Sequence, residues 1–316
     1  MPVSSLASLS PSMAAPSWID PVQTFLSPVP TFEEYPVMSI SRKSQFLRSF
    51  ATAVCLVTCA LWAAAPTQAQ TARFPAPAAL ASKGSINYCA TIDNPPRAYF
   101  DDKQQPIGFE VELGAEIATR MGLKVNWVQL KFPGLIPALQ AQQCDAIMQE
   151  LFIRPERLEI IDMVPFSRTG QQIVVRRSDN TPGTTLEDLG GKKVAVPNGT
   201  TIHNLAIEAN KKLKESGKPE INLVVLPTTT DTFQQLATSQ VDAVGTTSTA
   251  GAYYVRLRPN DFKPKGNPFG LIGTGIGIRK GNNDLTNAIK RSLDSIVTDG
   301  TYRKLIERWN MQGMEL

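Results

Sequence analysis

Residues 108–121 read GFEVELGAEIATRM. Phe109, Leu113, Ile117 and Met121 recur every four residues, while Glu110, Glu112 and Glu116 fall off that stripe. The spacing predicts an amphipathic helix, ended by Gly122. Strand-like runs flank it, over 85–89 before and 124–129 after. Pro133 opens a further helix (PGLIPALQAQQ), with Leu135 and Leu139 on one face, and 145–149 reads as the next strand. Strands alternating with helices imply an α/β fold with a parallel, doubly wound sheet.

The pattern then repeats. Thr185-Leu186-Glu187-Asp188 has the form of a capping box. A strand over 193–196 runs through the loop Pro197-Asn198-Gly199-Thr200-Thr201 into a helix reaching Leu213. Strands over 223–226 and 241–245 enclose a helix over 230–240. Later, 275–279 reads as a strand, and Asn283 caps a helix with Leu285, Ile289, Leu293 and Ile296 inward. A last short helix carries Tyr302, Leu305, Ile306 and Trp309. Two α/β lobes of about 100 residues each have enough core to fold. The carboxyl ends of their strands offer a ligand cleft.

Composition narrows the function. The 316 residues are 42% hydrophobic and 19% charged, with 32 basic against 28 acidic side chains. That excess, without a long basic run, argues against a nucleic-acid partner. His203 is the one histidine, which disfavours histidine-based metal sites and triads. It reads as a surface or rim residue, and no cofactor or metal is expected.

The early chain reads as targeting sequence. Arg42, Lys43 and Arg48 precede an apolar run of 16 residues at 50–65, and Thr67-Gln68-Ala69 offers small residues for cleavage. Residues 38–69 are therefore read as a secretory signal peptide. The run is short for a membrane span, which needs ~20 residues. Residues 1–37, rich in Pro and Ser, are read as a non-native or disordered extension before a true start at Met38. Residues 71–82 read as an Ala/Pro-rich leader, with order expected from near Gly84. Cys55 and Cys59 leave with the signal. Export would permit a Cys89–Cys144 disulfide, but the strand reading puts the two at opposite ends of parallel strands, so buried thiols are expected.

Several segments resemble, in order and spacing, the family 3 extracellular solute-binding proteins, the polar amino-acid-binding type that serves ABC importers. They are Gly108–Leu113 (GFEVEL), Gly134–Leu139 (GLIPAL), Cys144–Ile147 (CDAI), Pro155-Glu156-Arg157, Leu186–Leu189 (LEDL), Gly191–Val196 (GKKVAV), Asn198–Thr201 (NGTT), Val241–Val244 (VDAV), and Asp299–Tyr302 (DGTY) with Trp309. The resemblance implies a periplasmic-binding-protein-like type II fold. Lobe 1 would be 71–173 plus 274–316, lobe 2 would be 174–273, and two crossing strands near 173–177 and 272–276 would form the hinge. It further implies a periplasmic monomer that hands a small polar ligand to a membrane permease.

Site residues follow from the same resemblance. Arg157 matches the arginine that clamps the ligand's carboxylate, a task suited to a forked guanidinium. Thr200 and Thr201, at a helix start after Asn198 and Gly199, can donate to the same anion. Phe132 matches an aromatic wall position. Asn94 and Arg97 flank Pro95-Pro96 where relatives often carry aromatics. Thr247 stands where the family usually has the aspartate that pairs with an α-ammonium. Gln149 and Glu150 replace small residues. Glu150 either receives a cationic ligand group, the reading preferred here, or pairs with Arg97 or Arg157.

Three functions compete. The first is transport capture. The second is a cyclohexadienyl-dehydratase-like enzyme on the same fold, disfavoured because 246–254 (TTSTAGAYY) holds no carboxylate, with Ala250 near the expected place. The third is a sensing partner of a membrane receptor.

Overall fold

The computed structural model describes residues 73–315. The readings on 1–37, on the 38–69 signal peptide and on Cys55 and Cys59 lie outside the described residues. In chain order the first elements are α1 (Ala78–Lys83), β1 (Ser85–Ala90), the short strands β2 (Tyr99–Phe100) and β3 (Pro106–Ile107), α2 (Phe109–Arg120), β4 (Lys124–Gln129), α3 (Leu135–Gln140), β5 (Ala146–Ile147), α4 (Pro155–Leu158) and β6 (Ile161–Arg176). Then come β7 (Lys193–Pro197), α5 (Thr201–Glu215), β8 (Asn222–Leu226), α6 (Thr229–Ala237), β9 (Ala243–Thr247), α7 (Ser248–Leu257), β10 (Phe262–Arg279), α8 (Asn283–Thr298) and α9 (Thr301–Arg308).

The main sheet has eight strands in the order β4-β1-β5-β10-β6-β9-β7-β8. β4, β1 and β5 are mutually parallel, as are β9, β7 and β8, so each end is a βαβ unit with its helix crossing over. The antiparallel pair β6 and β10 runs through the middle and belongs to both ends. Register shifts at Lys265/Phe269, Phe269/Ile272 and Thr274/Gly275 break its ladder where it passes from one half of the sheet to the other. The type II architecture implied by the resemblance is thus present, with β6 and β10 spanning both halves of the sheet.

Each half carries a core on both faces. On one face, α2, α8 and α9 bury Leu113, Ile117, Leu285, Ile289, Ile296 and Ile306 against Ile86 and Tyr88. At roughly 1.5–3 kcal/mol per buried aliphatic side chain, this apolar stripe is the main reason these helices dock. On the other face, α3 covers Cys89, Cys144, Ile147 and Ile161. In the second half, α5 packs on Val194, Val196 and Ile173, while Phe233 of α6 stacks on Tyr254.

Several expectations are corrected. Order begins before Gly84: the Phe74 amide donates to Arg120 O at 3.0 Å, and Leu80 of α1 is buried. Cys89 and Cys144 form a disulfide with a Cα–Cα distance of 5.7 Å. The strand expected over 145–149 is only Ala146–Ile147, so Cys144 lies in the irregular turn before it, free to face Cys89 beneath α3. Asn282, not Asn283, caps α8, its Oδ1 accepting from the Leu285 amide. The helix at 133 begins with a 3-10 turn, Phe132–Gly134.

Candidate functional site

The carboxyl ends of the parallel strands converge on one cavity. Asp93 and Asn94 follow β1, Phe132 follows β4, and Gln149 and Glu150 follow β5. From the other half come Thr200 and Thr201 after β7, Thr228 and Thr229 after β8, and Thr246 and Thr247 at the end of β9. Gln171 closes the wall from β6. This is where open α/β sheets place ligands.

Glu150 lies at the centre of a buried polar cluster. Its Oε1 stands 2.7 Å from Arg97 Nε and accepts from Thr249 Oγ1 at 2.7 Å, while Oε2 accepts from Asn94 Nδ2 at 2.7 Å. Arg97 Nη1 also donates to Glu110 Oε1 at 3.0 Å and to Ser167 Oγ at 3.1 Å. The pairing with Arg97, set second in the sequence reading, is the one the structure holds, although Glu150 still lines the cavity. Arg97 itself is removed from the set of ligand-facing residues. It is fully buried behind Glu150 and forms no part of the cavity wall.

Local backbone explains that placement. Gly108 adopts φ +129°, and a Cβ there would lie 2.2 Å from Arg97 O. Only glycine lets the start of α2 close on the 96–97 backbone, where Phe109 N donates to Pro96 O and Glu110 N to Arg97 O. That contact brings the Glu110 carboxylate onto the Arg97 guanidinium. Burial pushes the Glu110 carboxyl up to about 7, Arg97 opposing and Glu150 adding to the rise.

Arg157, first among the predicted ligand contacts, is not part of the cavity wall: it stands behind Phe132, its guanidinium 5.6 Å from the ring centroid and its Nη1 donating to Phe152 O at 2.9 Å. No carboxylate lies within 4 Å of it among the described residues; Glu156 pairs with Arg154 instead. Burial lowers its pKa to about 10, the Arg154 charge adding to the fall. Thr200 is the helix cap, accepting from the His203 amide and donating to Pro197 O. Thr201 is left with a buried hydroxyl that has no partner. Thr247 caps α7, accepting from the Ala250 amide. Asn198 is exposed, outside the cavity wall. Gln149 Oε1 accepts from the Thr91 amide and hydroxyl, at 2.9 and 3.1 Å.

The sequence reading missed several wall residues, among them Thr228, Thr229, Thr246, Gln171 and Asp93. Gln171 is 1% exposed, and neither its amide nitrogen nor its oxygen has a partner. Asp93 lines the cavity one residue before Asn94. Its proximity to Pro95-Pro96 was the available signal. Ala250, where the dehydratase reading needs a glutamate, is a fully buried methyl in α7. His203 Nδ1 accepts from the Gly199 amide at 3.2 Å. Among the described residues no cluster of three metal-ligating side chains occurs, and no helix is long and apolar enough to cross a membrane.

A family model described as bacterial extracellular solute-binding proteins, family 3, matches residues 86–312. The lysine/arginine/ornithine-binding periplasmic protein of Escherichia coli (strain K12) is 31% identical over 219 residues, 66% of this chain and 81% of that protein. An ancestral arginine-binding protein bound to arginine superposes with a TM-score of 0.66 at 33% identity, covering 72% of this chain and 98% of that one. The ancestral amino acid-binding protein AncCDT-1, described as a precursor of cyclohexadienyl dehydratase, gives 0.67 at 30% identity over 73% of this chain and 97% of its own.

Proposed function

The chain belongs to the bacterial extracellular solute-binding proteins, family 3, and from that membership we propose that it captures an amino acid or closely related small carboxylate and presents it to the permease of an ABC importer. The lobes 71–173 plus 274–316 and 174–273 would close on the ligand about β6 and β10. One observation carries the reading. Thr201 Oγ1 and both amide atoms of Gln171 are buried and unpartnered at the wall of a cavity built from both sheet halves. Such groups cost free energy unless a guest satisfies them. The ligand carboxylate would take Thr201 Oγ1 and the Arg157 guanidinium. The protein works as a periplasmic monomer, a compartment that suits the Cys89–Cys144 bond.

A thermal-shift screen across amino acids, amines and small carboxylates tests this. A ligand at 100 times its Kd stabilises by about 2.7 kcal/mol, a Tm rise of roughly 5–10 °C at this chain length. No shift across the panel, together with turnover of prephenate or arogenate, would replace capture with the dehydratase reading.

A further inference from the structure

Asp93 is the cavity's uncommitted carboxylate. Glu150 is already held by Arg97, Asn94 and Thr249. Asp93 has no ammonium or guanidinium within 4 Å among the described residues, and no lysine, arginine or histidine lines the cavity. Burial raises its pKa; Thr91 and Lys131 oppose the rise and Asp231, in the first turn of α6, adds to it. Asp93 and Asp231 therefore make this part of the site acidic, beside Thr228 and Thr229. A ligand carboxylate is repelled there and is held, on the capture reading, by Thr201 at the wall with Arg157 behind Phe132, which leaves a basic group of the ligand for Asp93. The unpartnered Gln171 amide shows independently that the cavity is built for a polar guest.

We propose that Asp93 is the specificity-determining acceptor for a basic side chain of the ligand. The assignment rests on the capture reading and adds a preference to it: a ligand cation relieves a partly desolvated carboxylate, and a neutral isostere leaves it unpaired. Thr247, whose hydroxyl is committed to capping α7, does not compete for the charge.

L-arginine and its uncharged isostere L-citrulline are the probes, titrated calorimetrically into wild type and Asp93→Asn, with far-UV circular dichroism confirming the variant's fold. Wild type is expected to bind L-arginine at least about tenfold tighter than L-citrulline, the scale of a charged hydrogen bond. In Asp93→Asn the ratio falls to within about threefold of one. A ratio unchanged by the substitution, or a wild type that prefers citrulline, overturns the assignment while leaving capture intact. Absence of wild-type binding to both probes and to the wider amino-acid panel overturns the capture reading itself, and this assignment with it.

Discussion

Glu150 Oε1 lies 2.7 Å from Arg97 Nε, and neither side chain has more than a trace of solvent exposure. The pair makes Glu150 a structural acceptor before any ligand arrives. Glu150→Gln is therefore expected to destabilise the ligand-free protein by about 2–3 kcal/mol. That is below the 3–5 typical of breaking a buried pair, because Glu110 still holds Arg97. Urea denaturation without ligand measures it. Unchanged stability with weakened binding would restore Glu150 to the ligand's contacts.

Glu110 should make stability fall as pH rises. Its carboxyl titrates near 7 when folded, against an ordinary 4.5. Between those values the folded protein keeps a proton that the unfolded chain releases, so raising pH favours unfolding, by up to about 3 kcal/mol. Glu110→Gln mimics the protonated form. Its stability advantage over wild type should be smallest near pH 4 and grow toward pH 8, read as Tm across that range. A constant difference would mean that Arg97 keeps Glu110 ionised throughout.

The Cys89–Cys144 bond closes a loop across 55 residues of sequence. A cross-link of that span stabilises by about 2–4 kcal/mol through the unfolded chain. Cys89→Ser with Cys144→Ser should lose that amount and become insensitive to dithiothreitol, while wild type loses a similar amount on reduction. Equal urea midpoints for reduced and oxidised wild type would contradict it.

The legible parts of the fold were those with a period. α2 and α8 carry apolar stripes, and β7 and β8 are short apolar runs bounded by turns. β6 and β10 were not legible as single strands of 16 and 18 residues. β6 is buried along most of its length, which erases alternation, and its pairing with β10 joins residues about a hundred positions apart. α7 escaped because its first turn, Ser248-Thr249-Ala250-Gly251, has small side chains and no stripe. At the site, Thr201 stands at the cavity wall, as its match to the family's segments implied, whereas Arg157, named on the same ground, stands behind Phe132. The Arg97–Glu150 pair was set only second, and the share of Glu110 in that cluster was missed, because charges beside a helix's apolar stripe are read as solvent-facing unless a distant partner is known.

Arg157 offers the sharpest separation of binding from stability. Its guanidinium is partly desolvated against Phe132, has no carboxylate within 4 Å among the described residues, and spends one nitrogen on Phe152 O. An unpaired cation in that setting opposes folding, so Arg157→Ala should leave the ligand-free Tm unchanged or slightly higher. On the proposed role, the same variant should lose about 100-fold or more in affinity for a carboxylate ligand, since the proposed charge-assisted pair with the carboxylate is removed. Arg157→Lys keeps the charge but not the fork or the stacking plane, and should lose roughly 10-fold. Calorimetry of the three proteins beside their ligand-free melting curves reads both effects. A large fall in Tm with little change in affinity would make Arg157 a packing residue for Phe132 and move the carboxylate site to Thr201 alone.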